Sequence, residues 1–164
     1  MDRARAEFHR LLAGSSRGDL ARASHGTRWT NEQLLFHMLF GYLIVRNLRV
    51  IVKVFARLPE PVGRAFARLL DSLTRPFHVI NFWGSQVGAR VIRPARMGRR
   101  FDKTIASLQR HLDVESEPEL DRRMRFPTRW DPFFTDTMTL REVYHYATQH
   151  FDFHRAQLTL DLAD

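Results

Sequence analysis

Apolar residues recur at spacings of three and four along most of the chain, and strand-like alternation is hard to find, so the pattern predicts an all-α protein. A first helix is expected over about residues 2–22, with Ala6, Leu11, Leu12 and Leu20 turned inward and Gly14 and Gly18 weakening it. The second has a sharp start. Thr30-Asn31-Glu32-Gln33 is a capping box, in which the Thr30 hydroxyl accepts from the Gln33 amide while Gln33 reaches back. Its stripe runs Leu34, His37, Gly41, Ile44, Leu48, Ile51, Phe55, and Pro59 and Pro61 close it. A third helix is expected at about 95–112, on Met97, Phe101, Ile105, Leu108 and Leu112. The last opens with a second capping box, Thr139-Leu140-Arg141-Glu142, follows Leu140, Val143, Ala147, His150, His154 and Leu158, and runs to near the C-terminus.

Two connections are long. Residues 61–92 carry a short amphipathic helix with Pro61 in its first turn and Val62, Phe66, Leu69 and Leu73 on one face; Phe77–Val91 reads equally as helix or loop. Residues 113–138 read as loop, acidic first and then aromatic through Phe126 to Phe134. Trp130, Asp131, Phe133 and Phe134 either plug the end of the bundle or form a lid in which Asp131 serves the site.

His37 lies within one inward stripe, and His150 and His154 lie within another. At about 100° per residue, His150 and His154 are about 40° apart on one helix face. Three imidazoles on converging faces would leave several buried nitrogens to satisfy, and one divalent ion satisfies all three. Three neutral nitrogen ligands leave open positions on such an ion, as catalytic sites do. Zn, Ni, Fe and Mn all suit three nitrogen donors. His145, about 140° from His150, and Asp152 should point elsewhere, and His9, His25, His78 and His111 show no partner pattern. Phe151 follows His150, so the glutamate of a His-Glu-x-x-His metalloprotease is missing. The Glu-x-x-His pairs of di-iron bundles are missing too. The pattern identifies no catalytic acid or base.

Composition narrows the classes. The 164 residues suit one domain, 1–164, and without cysteine there can be no disulfide, thiolate metal site or cysteine nucleophile. The net charge of +8 raises nucleic acid as a partner, but the basic residues are spread out and almost all are arginine. The densest group, Arg90, Arg93, Arg96, Arg99 and Arg100, lacks interleaved aromatics, so a solvated basic face is expected. The N-terminus has no apolar signal core, and Arg46, Asn47, Arg49 and Lys53 interrupt the most apolar run, Leu34–Phe55. A cytoplasmic protein is therefore expected, with a small-molecule substrate, no specific nucleic acid and no membrane partner; a homodimer is left open.

Trp29-Thr30 followed by His37, and the last helix with His150-x-x-x-His154-Arg155-x-Gln157-Leu158, resemble the DinB-like (YfiT-like) superfamily of metal-binding four-helix bundles. Ala156 stands where that family often has glycine, and the 61–92 insert is longer than expected. The resemblance implies an up-down-down-up bundle with a long crossover between its second and third helices, and a divalent metal held by His37, His150 and His154. It implies a thiol S-transferase using a low-molecular-weight thiol cosubstrate, such as bacillithiol or mycothiol, on a small electrophile, or else a metal-dependent hydrolase or isomerase. A non-catalytic metal-binding or stress-related module of the same fold is the alternative.

Overall fold

The computed structural model describes residues 1–161. Eight helices and one short hairpin follow in the order α1 Asp2–Gly14, α2 Arg17–Ala21, α3 Asn31–Phe55, α4 Glu60–Ser72, α5 Thr74–Val91, α6 Pro94–Leu112, α7 Glu117–Leu120, β1 Arg123–Arg125, β2 Thr137–Thr139 and α8 Leu140–Arg155. The all-α class holds. The four long bundle helices are α1, α3, α6 and α8, and α4–α5 form the crossover.

Cross-helix contacts fix the relative directions. Asp2 meets Gln109 while Arg5 and His9 both reach Asp102, so α1 runs antiparallel to α6. Arg3 pairs with Asp152 and Glu7 with Arg155, so α1 and α8 run parallel. Tyr42 reaches Thr148 while His37 reaches His150, so α3 runs antiparallel to α8. These registers are those of an up-down-down-up arrangement. Phe8, Tyr42, Phe101 and Phe151 from the four helices meet at the centre, with ring centroids 4.4–6.4 Å apart. They form an aromatic layer within a core of Leu, Met and Val.

Several boundaries differ from the expectation. The first helix is two, because Ser16 and Asp19 form a capping box that restarts the chain as α2. Ala6 is exposed there, and Ala4, Phe8 and Leu11 are the buried face. The last helix ends at Arg155 rather than near the terminus, because the segment beyond pairs with the loop before α3. The His25 amide donates to the Gln157 carbonyl, and Asn31 holds both the amide and the hydroxyl of Thr159. Residues 113–138 hold α7 and the hairpin as well as loop. Arg123-Met124-Arg125 and Thr137-Met138-Thr139 each alternate for only three residues, too short a run to read as strand, yet they bury Met124 against Met138. On α4 the inward residues are Gly63 and Ala67, with Phe66 half-buried, while Val62, Leu69 and Leu73 stay exposed. The ambiguous 77–91 segment is helical. There Gly88 lets α5 approach α3 closely, since a Cβ on it would lie 2.1 Å from the Phe36 ring.

By length and composition α3 could span a bilayer, but half of its most apolar window is buried inside the bundle. Two of the charges that interrupt it have partners: Arg49 and Lys53 both reach the buried Glu115 carboxylate just beyond α6.

Candidate metal centre

The Thr30 capping box fixes the start of α3, and His37 follows on its second turn. α8 opens on the Thr139 box and presents His150 and His154 one turn apart. Because α3 and α8 run antiparallel, the three imidazoles meet near one end of the bundle. One nitrogen from each lies within 4.8 Å of the others; His37 and His150 are buried and His154 is partly buried. The Nε2 atoms of His37 and His150 are 3.2 Å apart.

Hydrogen bonds define which nitrogens are free. The Ser85 hydroxyl donates to the Asn81 carbonyl at 2.9 Å, so its oxygen is left to accept from His37 Nδ1 at 3.1 Å. His154 Nδ1 donates to Gln157 Oε1 at 2.7 Å. Both assignments leave Nε2 with its lone pair, aimed into the cluster. Burial holds His37 down at about 3, with His154 adding to it, and burial plus the two neighbouring imidazoles hold His150 well below the ordinary value. Burial also lowers His154, against the opposing pull of Gln157 and Asp131. All three rings are therefore neutral at pH 7, the state that binds metals.

A divalent ion fits this donor set. Two nitrogens held about 2.1 Å from one ion lie about 3.0–3.4 Å apart at octahedral to tetrahedral angles, and the Nε2 pair falls in that range. Without an ion, a proton on His150 Nε2 can serve only one of the two inward lone pairs. With or without an ion, His150 Nδ1 has no hydrogen-bond partner among the described residues. That nitrogen packs against Gly41, where a Cβ would lie 2.6 Å away.

Aromatic walls surround the cluster. Trp29 lies 4.4 Å from His37, centroid to centroid, and its indole donates to the Phe82 carbonyl at 3.3 Å on α5. Tyr146, one turn before His150, packs 5.6 Å from that ring, and its hydroxyl donates to Asp131 Oδ2 at 2.9 Å. Asp131 thus reaches the site through Tyr146 and hydrogen-bonds no imidazole. Trp130 stacks on Phe77 at 4.0 Å and donates to the Leu70 carbonyl at 2.8 Å, fastening the loop to the crossover. Beside Tyr146 and Asp131 lies an apolar pocket of about 260 Å³, walled by Ile44, Leu48, Ile51, Phe77, Trp130 and Phe134.

His145 is exposed, and so is Asp152, which pairs with Arg3 away from the cluster. His9 binds Asp102 on α6. Sequence reasoning missed Ser85 and Tyr146. The available signal for Ser85 was the small residues Ser85, Gly88 and Ala89, which read as a helix face able to approach a neighbour closely once 77–91 is taken as helical.

A helical bundle that gathers three neutral imidazoles in its interior defines a class of protein able to hold one metal ion. The profile of the DinB superfamily matches residues 1–158, and the chain belongs to that superfamily. No curated protein and no solved structure matches it.

Proposed function

We propose that His37, His150 and His154 hold one divalent ion, Zn or Ni, and that the protein is a cytoplasmic thiol S-transferase-like enzyme. The observation that carries the metal reading is the pair of hydrogen-bond-fixed tautomers, His37 on Ser85 and His154 on Gln157, whose remaining lone pairs converge. A bound divalent ion lowers the pKa of a thiol or water at neutral pH and so supplies a nucleophile. The chain's own groups do the rest. Trp29 and Tyr146 exclude water around the cluster, and Asp131 fixes the Tyr146 ring through its hydroxyl. The apolar pocket next to Tyr146 suits the hydrocarbon part of a small electrophile, with a low-molecular-weight thiol as cosubstrate. Hydrolysis by a water nucleophile in the same place is the neighbouring reaction.

The test begins with metal content and ends with turnover. The purified, untagged protein should carry close to one equivalent of Zn or Ni. Reloaded after chelation, it should consume a thiol such as mycothiol or bacillithiol in the presence of a small alkylating electrophile, and the chelated protein should not. Protein that binds metal stoichiometrically but turns over neither thiol nor ester substrates is a binding module. Protein that holds no metal under any loading condition sinks both readings.

A further inference from the structure

The crossover carries an apolar face that nothing else in the described chain covers. On α5, Val79, Ile80, Trp83, Val87 and Val91 are each between 53% and 70% exposed. At about 100° per residue they share an arc of roughly 120°. The opposite side of α5, through Ser85 and Ala89, is the buried one. Val62, Leu69 and Leu73 continue the exposed apolar side chains along α4 to the junction. A row of five exposed apolar side chains on one face of a helix marks an interaction site.

Charge decides the partner. On α5, Arg75 lies about 40° outside the arc and Arg90 within it near the helix C-terminus; neither of these, nor the exposed Arg57, Arg68 and Arg93 nearby in the chain, has a carboxylate partner among the described residues. The two acidic residues of the segment are engaged, Glu60 with Arg64 and Arg125, and Asp71 with the Arg129 amide. A second copy of this face would bring the same excess of cations to it. A bilayer with anionic headgroups takes both features, accepting the apolar side chains at the acyl boundary while the guanidinium groups meet phosphate. Trp83 sits within the arc, and tryptophan favours that depth. We infer that α5, with the adjoining part of α4, seats this protein on an anionic membrane surface with the helix lying in the interfacial plane. The expectation of no membrane partner came from Leu34–Phe55 as a spanning segment; lying on a surface needs only one apolar helix face flanked by cations.

Flotation of the full chain with lipid vesicles tests this. Vesicles of phosphatidylcholine mixed with phosphatidylglycerol should bind it at least about tenfold better than phosphatidylcholine alone, and binding should fall as salt rises. Tryptophan emission should shift to the blue on binding, and the shift should disappear in Trp83→Phe. The triple change Ile80→Ser, Trp83→Ser, Val87→Ser should abolish flotation while helicity and metal content stay as in the parent. Should that variant lose its helix, Arg75→Glu with Arg90→Glu leaves the apolar face intact and should still weaken binding about tenfold or more. No flotation with the anionic vesicles, or flotation that both variants leave unchanged, overturns the inference. So does light scattering that shows a dimer dispersed by the triple change in a protein that ignores vesicles; that result assigns the face to a second copy.

Discussion

Ser85 on α5 accepts a hydrogen bond from His37 Nδ1 at 3.1 Å, linking the crossover to the imidazole cluster of the bundle. Its own proton is held by the Asn81 carbonyl, so the Ser85 oxygen can only accept, and His37 must present Nε2 to the cluster.

Ser85→Ala removes that acceptor from a buried imidazole. Metal affinity should fall by about 10–100-fold, as for other lost partners of ligating histidines, measured by competition with a chelator of known affinity. Helicity should be retained. Affinity equal to the parent's would show that the Ser85 contact does not orient a ligand.

Removing the imidazoles themselves separates cluster from surface. His37→Ala and His150→Ala should each strip most of the metal from the purified protein, and His145→Ala should leave it nearly intact, because His145 is solvent-exposed. Metal analysis by mass spectrometry reads the result. Loss of metal in His145→Ala with retention in His37→Ala would mean that the ion sits elsewhere.

The 126–138 loop divides its duties between two adjacent residues. Trp130 is fastened to Phe77 and Leu70, so Trp130→Ala should lower stability in urea by about 2–3 kcal/mol, below the figure for a fully buried tryptophan because it is partly exposed. Asp131 touches Tyr146 and not the histidines. Asp131→Asn should therefore keep the metal and lower turnover, and unaltered thiol-transfer kinetics would remove it from the site.

Glu7 ties α1 to α8. Its hydrogen bond from Arg10, together with that from Arg155, holds its carboxyl at about 2 rather than 4.5. The stabilisation is complete above the unfolded value and is lost as the pH falls from about 4.5 towards 2, because the unfolded chain takes up the proton first. At neutral pH it is worth at most about 3 kcal/mol. The gap in urea midpoint between Glu7→Gln and the parent should be widest at pH 7, shrink to about 40% of that by pH 3, and close only as the pH approaches 2. A constant gap across that range would mean that Glu7 acts through packing rather than charge.

What the sequence determined by itself was local and periodic. Thr30 and Thr139 announce their helices because a capping box is written in four consecutive residues, and both form as expected. The inward stripes put His37, His150 and His154 on converging faces because helical rotation is a fixed property of the backbone. Shorter signals were lost. The Ser16 restart was hidden by helical residues on both sides, and the hairpin offers three residues per strand. Contacts between distant segments were left to the tertiary structure. Ser85 and His37 are 48 residues apart, and Tyr146 and Asp131 sit on separate elements whose docking depends on how Trp130 packs against α5. The outward turn of Val62, Leu69 and Leu73 was decided in the same way. An apolar stripe says that a helix has a face to bury, but on α4 the buried positions are Gly63 and Ala67 on a different face, and only the packed neighbours could make that choice.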